Sequence, residues 1–255
     1  MSRIIAVYGA NGSGKSTVVS NLAYELSDKY LVGVISANMN YPSIQHFFGI
    51  NIPEENSIKN ICFSPNKEVE IVKQFMQHPN NRNLFILTVP NNSDCLSIAD
   101  EKTNRLKDDD IVRDFWETLK VSDFDYIIVD CTNEVNNLVS TYSLFYANVI
   151  LHTIKPTIQG LSFVKSYAEF INKMQNDSDI IKLINIANAD ENYIGLAKFE
   201  NLAEIRFNIA LPYDNIVRQA ENEGVPVSGI AQKSFKSKGY VKAFNQLVNM
   251  VVGGM

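Results

Sequence analysis

The chain has 255 residues, 45% of them hydrophobic, with 23 Lys and Arg against 28 Asp and Glu for a formal net charge of −5. That length fits one large α/β domain over 1–255 with a sizeable core, since no Pro/Gly/Ser-rich linker marks a second. The acidic balance argues against a globally basic nucleic-acid binder, and the scattered Cys62, Cys95 and Cys131 form no C-x-x-C pair, which suits a reducing cytoplasm.

The apolar N-terminus is too short for a signal peptide, and no stretch reaches the roughly eighteen apolar residues of a membrane span. Residues 4–8 (Ile-Ile-Ala-Val-Tyr) read as a strand and lead into Gly9-Ala10-Asn11-Gly12-Ser13-Gly14-Lys15-Ser16-Thr17. A helix over 16–29 carries Val18, Val19, Leu22, Ala23 and Leu26 on one stripe, and a strand follows at 31–35. Residues 51–83, rich in Asn, Pro and charge, read as a loop-plus-helix insertion, with one helical stretch at 69–77. A strand at 84–89 comes next, then a polar loop at Asn91-Asn92-Ser93 and a helix over 110–118 that opens with acids. Further strands are expected at 126–129, 149–153, 181–185 and 205–209, with a polar loop at 133–137 and helices over 158–174 and 240–252. Near-continuous apolarity in these strands marks burial on both faces. The expectation is a doubly wound α/β fold, a mostly parallel sheet of about seven strands with ligands at the strands' carboxyl ends.

Residues 9–17 complete a G-x-x-x-x-G-K-[ST] phosphate loop, with a strand before it and a helix after it, as that chemistry requires. Glycines let the backbone turn so that successive N–H groups point at a phosphate. Lys15 supplies a cation for the β/γ oxygens, Ser16 offers a hydroxyl to Mg²⁺, and the helix adds its positive N-terminal end. Phe124-Asp125-Tyr126-Ile127-Ile128-Val129-Asp130 is an apolar strand ending in a carboxylate. At the end of a buried strand Asp130 needs a partner, and a water of the Mg²⁺ shell is the natural one. The implied ligand is a nucleoside triphosphate with Mg²⁺.

Val34-Ile35-Ser36-Ala37-Asn38, Tyr41-Pro42-Ser43-Ile44 and Phe47-Phe48-Gly49 resemble the strand, loop and short helix that follow the first helix in the MinD/ParA group of deviant-Walker ATPases. Ala147-Asn148-Val149-Ile150, Ile184-Asn185 and Ala210-Leu211-Pro212-Tyr213-Asp214, then Ala220, Gly224 and Pro226, continue the resemblance in family order. It implies a P-loop NTPase fold, ATP with Mg²⁺, adenine held by Asn185 and the Pro212 loop, and a nucleotide-dependent homodimer. For Asn185 a strand-end side chain bonded to local backbone is the other reading.

Three positions depart from that family. Its signature Lys after the first Gly, which reaches the partner's phosphates, is Ala10, so a cation is missing. Its two switch carboxylates fall on Ser36 and Asn38, neither of which can act as a base at neutral pH. After Asp130 stands Cys131-Thr132-Asn133-Glu134, where Glu134 reads either as a solvated loop residue or as a substitute carboxylate. The expectation is an ATP binder with Lys15 and Asp130 as its catalytic-site residues and hydrolysis very slow or absent. The CpaE-like Tad-pilus localisation proteins are the branch in which such degeneracy surprises least, although they usually carry an N-terminal receiver-like domain ahead of the loop. The role implied is that of a switch that positions or assembles a pilus, secretion or conjugation machine, or DNA, in the cytoplasm or at the membrane or cell pole.

A P-loop kinase is the second class, but Arg3, Arg82, Arg105, Arg113, Arg206 and Arg218 do not cluster as a phosphate lid would. A bacterial tyrosine kinase would need the acidic switch pair and a Tyr-rich tail. A scaffold with structural nucleotide is the third. In the tail, Tyr240, Ala243, Phe244, Leu247, Val248 and Val251 form an apolar stripe with Lys236, Lys238 and Lys242, and Gly253-Gly254-Met255 closes the chain. It reads as a last helix on the sheet, with a basic amphipathic membrane anchor as the alternative.

Overall fold

β1 (Arg3–Gly9) takes the centre of the sheet because its residues are apolar on both faces. Ile5 and Val7 point into one core cluster, Ile4, Ala6 and Tyr8 into the other, so the period of two survives inside a continuous apolar run. The computed structural model describes residues 1–63, 70–91, 104–174, 179–185, 193–227 and 238–253. Cys95, Lys236, Gly254, Met255 and the Asn92-Ser93 part of the expected polar loop lie outside them, as does residue 69 of the expected helical stretch.

Among the described residues the other strands are β2 (Val32–Ser36), β3 (Met76–His78), β4 (Asn81–Leu87), β5 (Tyr126–Asp130), β6 (Val149–Ile154), β7 (Asp179–Asn185) and β8 (Ile209–Leu211). They form one sheet in the order β3-β4-β2-β5-β1-β6-β7-β8. Every pairing is parallel except β3 with β4. The helices are α1 (Lys15–Ser27), α2 (Ile44–Phe47), α3 (Ile58–Phe63), α4 (Asp109–Lys120), α5 (Leu138–Tyr146), α6 (Ile158–Met174), α7 (Leu196–Ala203), α8 (Asn215–Glu223) and α9 (Lys238–Gly253).

α1 and α9 share a core with one face of the sheet through Val18, Val19, Leu22, Phe244 and Leu247. On the other face α3, α4 and α5 bury Ile58, Phe115, Trp116 and Leu144. The amphipathic stripe of α4, with Asp108 capping the N–H groups of Asp110 and Ile111, explains why that helix starts and faces as it does. Covering helices on both faces confirm the doubly wound parallel architecture.

Two expectations are corrected. The segment expected to be helical at 69–77 is, over its described residues, a 3-10 turn at Ile71–Gln74 followed by the antiparallel strand β3, which makes eight strands among the described residues. β4 supplies ladder partners to Met76–His78, and the isolated helical pattern loses to that pairing. The strand expected at 205–209 lies at Ile209–Leu211 instead. Ile205 and Phe207 pack with Phe199 and Val164 in a satellite cluster, so apolarity there serves a side-chain cap and not the ladder. Four residues of the tail stripe, Tyr240, Phe244, Leu247 and Val251, belong to the core, and Ala243 and Val248 pack against it partly buried.

Candidate functional site

The carboxyl ends of β1, β2 and β5 converge where the register sets Ser36 beside Asp130 and Val7 beside Asp130. The phosphate loop springs from this point. Gly12 and Gly14 hold φ of 72° and 85°, the left-handed region that favours glycine. Gly14 is the N-cap of α1; no side chain caps that end, and no acid lies in its first turn. The first N–H groups of α1 are left to an anion.

Behind the loop a hydrogen-bond relay fixes its shape. The hydroxyls of Ser13 and Thr153 share a bond of 2.8 Å, and Thr153 donates to the Tyr8 carbonyl at 3.2 Å. A Cβ on Gly9 would lie 2.2 Å from the Thr153 carbonyl oxygen, so only glycine allows β1 and β6 to approach here. Lys15 Nζ donates to the carbonyls of Gly9 and Ala10 at 3.0 and 3.1 Å, which folds the side chain over its own loop. Asn11 and Gly12 are exposed at the tip, and the methyl of Ala10 supplies no charge.

Ser16 Oγ donates to Asp130 Oδ2 at 2.7 Å, joining the two sequence-predicted metal-site residues. Burial pushes the Asp130 carboxyl above the usual carboxylate range, opposed first by the Ser16 bond and then by the Lys15 charge. Burial likewise pulls the Lys15 ammonium below its usual value, opposed chiefly by Asp130. Both groups are therefore costly to keep charged in isolation, and a cation on one and an anion on the other relieve that cost.

A cleft of about 460 Å³ opens over the loop, lined by Lys15, Ser16, Asp130, Asn38, Thr132 and Glu134 among others. Ser36 is buried, its hydroxyl directed to the Asn38 carbonyl at 3.5 Å. The Asn38 amide oxygen accepts the N–H of Tyr41 at 3.0 Å. Both switch positions thus spend their side chains on their own turn. Asn137 ties the loop after Asp130 to this turn by donating to the Ala37 carbonyl at 2.9 Å.

A second cleft of about 200 Å³ adjoins the first at Gly12, Gly14, Thr17 and Phe47, and brings Asn185 and Pro212 together with Tyr213, Glu221 and Tyr240. The amide of Asn185 donates across 172 residues to the Ser13 carbonyl at 3.0 Å, a distant partner and not a neighbouring backbone group. It packs so closely on Gly14 that a Cβ there would lie 1.9 Å from its nitrogen. The Thr17 hydroxyl donates to the Glu221 carboxylate. Asp214 accepts from the N–H of Ile216 and caps α8. Sequence reasoning did not place Tyr41, Asn104, Lys107, Asn137 or Glu221 at these clefts. Only a capping Asn ahead of an apolar run signalled Asn137.

These residues fit a magnesium-bound nucleotide. The uncapped helix end, the two left-handed glycines, Lys15 and the Ser16–Asp130 pair are the donor set that phosphate and a hard cation require. Among the described residues no group of three or more His, Cys, Asp or Glu side chains forms a metal-binding cluster, and no helix is long and apolar enough to cross a membrane.

Fold and loop together define a P-loop nucleotide-binding protein of the doubly wound α/β class. The AAA domain family AAA_31 matches residues 2–185, and the chain belongs to that family. Its fold is that of the MinD and ParA ATPases. The septum site-determining protein MinD of Pyrococcus horikoshii, solved as its Mg-ADP complex, superposes with a TM-score of 0.76 at 17% identity, over 100% of this chain and 98% of that one. The cell division ATPase MinD of Pyrococcus furiosus gives 0.75 at 20% identity, over 98% and 100%. By sequence, the iron-sulfur cluster carrier protein of Rickettsia felis is 45% identical over 49 residues, 19% of this chain. The matched segment spans 15% of that relative's length.

Proposed function

We propose that this protein binds ATP with Mg²⁺ and acts as a nucleotide-dependent switch that dimerises and positions or assembles a larger cellular machine, with ATP hydrolysis very slow or absent. One observation carries the reading: the Ser16–Asp130 bond sits at an intact phosphate loop, while the switch positions Ser36 and Asn38 present no carboxylate to the same cleft. Bound Mg²⁺ would be held through Ser16 and a water of Asp130, and would neutralise phosphate charge. Lys15 and the loop N–H groups grip the phosphates, and the second cleft, with Asn185 and Pro212 in its wall, takes the nucleoside. Proton removal from an attacking water needs a base; among the described residues this cleft holds two carboxylates, Asp130, engaged with Ser16, and Glu134, on an exposed loop, which leaves Glu134 for that role. The Mg-ADP bound to the Pyrococcus horikoshii neighbour supports the ligand.

Steady-state phosphate release tests the hydrolysis claim. Turnover near one per second, abolished by Lys15→Ala, overturns it; a rate that falls only with Glu134→Gln assigns the residual activity to Glu134. Light scattering with ATP, with ADP and without nucleotide tests the switch. A dimer fraction that rises with ATP supports it, and equal fractions in all three favour a scaffold with structural nucleotide.

A further inference from the structure

Ala10 leaves the phosphate loop with a single cation, and a magnesium-bound triphosphate keeps about two negative charges where a diphosphate keeps about one. Lys15 offsets one of them. Among the described residues, the other lysine in the wall of the larger cleft is Lys107, at the end of the 3-10 turn Arg105–Lys107.

That turn is held from three sides. Asn104 is 2% exposed, and its amide oxygen accepts the N–H of Leu106 at 3.0 Å. Leu106, also 2% exposed, is sunk among Ile58, Cys62 and Leu144. Asp108, directly after the turn, caps α4. Lys107 itself is half-buried, and its ammonium makes no ion pair among the described residues, although Asp108, Asp109 and Asp110 follow it. A half-buried cation in a cleft wall, with no acidic partner among the described residues, points to an anion.

The arrangement of the two clefts says which anion. They meet at Gly12, Gly14, Thr17 and Phe47; the smaller extends toward Asn185 and Pro212, and Lys107 lines only the larger. With the nucleoside end in the smaller cleft, Lys107 stands at the far end of the phosphate chain. We propose that Lys107 is the second cation of the phosphate site, binding the terminal phosphate of a nucleoside triphosphate from within the same chain. It thereby replaces the charge that Ala10 lacks, and makes the site prefer triphosphate over diphosphate. This rests on the reading of the cleft as a nucleotide site.

Calorimetric titration of the full chain with Mg-AMP-PNP and with Mg-ADP tests it, using Lys107→Met, which keeps the apolar stem, and Lys107→Arg, which keeps the charge. Loss of one charge-assisted phosphate contact weakens AMP-PNP by about tenfold and ADP by less than about threefold in Lys107→Met, while Lys107→Arg stays within about threefold of the parent. Equal loss for the two nucleotides, or no loss, overturns the assignment while leaving the nucleotide reading intact. A parent chain that binds neither ligand overturns both. An unchanged melting temperature in Lys107→Met, or rescue by Lys107→Arg if it falls, excludes a folding artefact.

Discussion

The hydroxyl of Ser16 donates to the carboxylate of Asp130 over 2.7 Å, tying the first turn of α1 to the end of β5 across 114 residues. Asp130 is buried, with its carboxyl pushed up, so the pair is an expensive structural tie and a ready metal site. Asp130→Asn keeps the shape and removes the charge. ATP binding in that variant should lose its Mg²⁺ enhancement, by about tenfold or more, while the melting temperature holds or rises. Titrations with Mg²⁺ and with EDTA, beside a thermal melt, check both parts. A Mg²⁺ effect that survives removes Asp130 from the metal site.

The glycines of the loop separate space from conformation. A Cβ on Gly9 meets the Thr153 carbonyl at 2.2 Å and the Ser13 hydroxyl at 2.8 Å, both fixed by the relay behind the loop. Gly9→Ala should cost about 3 kcal/mol in urea unfolding of the nucleotide-free chain. A Cβ on Gly12 meets nothing within 4 Å, but φ is 72°, so Gly12→Ala should cost only about 1 kcal/mol. Equal costs would contradict this division.

The same contrast explains what was legible in the sequence. The phosphate loop, Asp130 and the long helices α1, α4, α6 and α9 are written in local pattern: spacing, caps and stripes that neighbouring residues decide. α5 reads Leu-Val-Ser-Thr-Tyr-Ser-Leu-Phe-Tyr, apolar or hydroxyl-bearing throughout, and shows no clear stripe although Asn137 caps it. β3 is three residues long and exists because Asn81–Leu87 offers it an edge. Lys107 enters the cleft through the burial of Leu106, a tertiary contact with no spacing rule. Asn185 was recognisable by resemblance, but its bond to Ser13 was not, since nothing local links positions 172 apart.

Asn185 braces the phosphate loop through the Ser13 carbonyl and lies against Gly14. Asn185→Ala should lower stability by about 1 kcal/mol and leave Ser13 without that partner. Nucleotide affinity should fall for ATP and ADP alike, because both need the same loop. A loss confined to ATP would place Asn185 in a different role. Unfolding curves and paired titrations read the two effects separately.

His152 lies 6% exposed on β6 between Tyr8 and Phe163, and its Nε2 has no hydrogen-bond partner among the described residues. Burial, aided by the Lys182 charge, pulls its pKa down to about 4. The unfolded chain therefore binds the proton first as pH falls below about 6.5, and stability must fall with it. Full expression of the shift between pH 7 and pH 4 removes about 3 kcal/mol. Urea unfolding at pH 7 and pH 5 should show a smaller decline in His152→Gln than in the parent, since carboxylate titration is common to both. Parallel declines would mean that His152 is not buried as described.

α9 buries Tyr240, Phe244, Leu247 and Val251 against α1 and the sheet, and Arg3 donates to the Val252 carbonyl at 3.0 Å. Removing four such side chains forfeits about 6–10 kcal/mol of burial, comparable with the whole stability of a domain of about 5–15 kcal/mol. A chain ending before Lys238 should therefore unfold or aggregate, and its failure to sediment with lipid would say nothing about membranes. The discriminating variant is Lys242→Glu, on the exposed face of α9. With the apolar stripe committed to the core, the full chain should not co-sediment with anionic vesicles, and Lys242→Glu should behave as the parent does. Binding to vesicles that Lys242→Glu abolishes at unchanged melting temperature would establish the tail as a membrane contact instead.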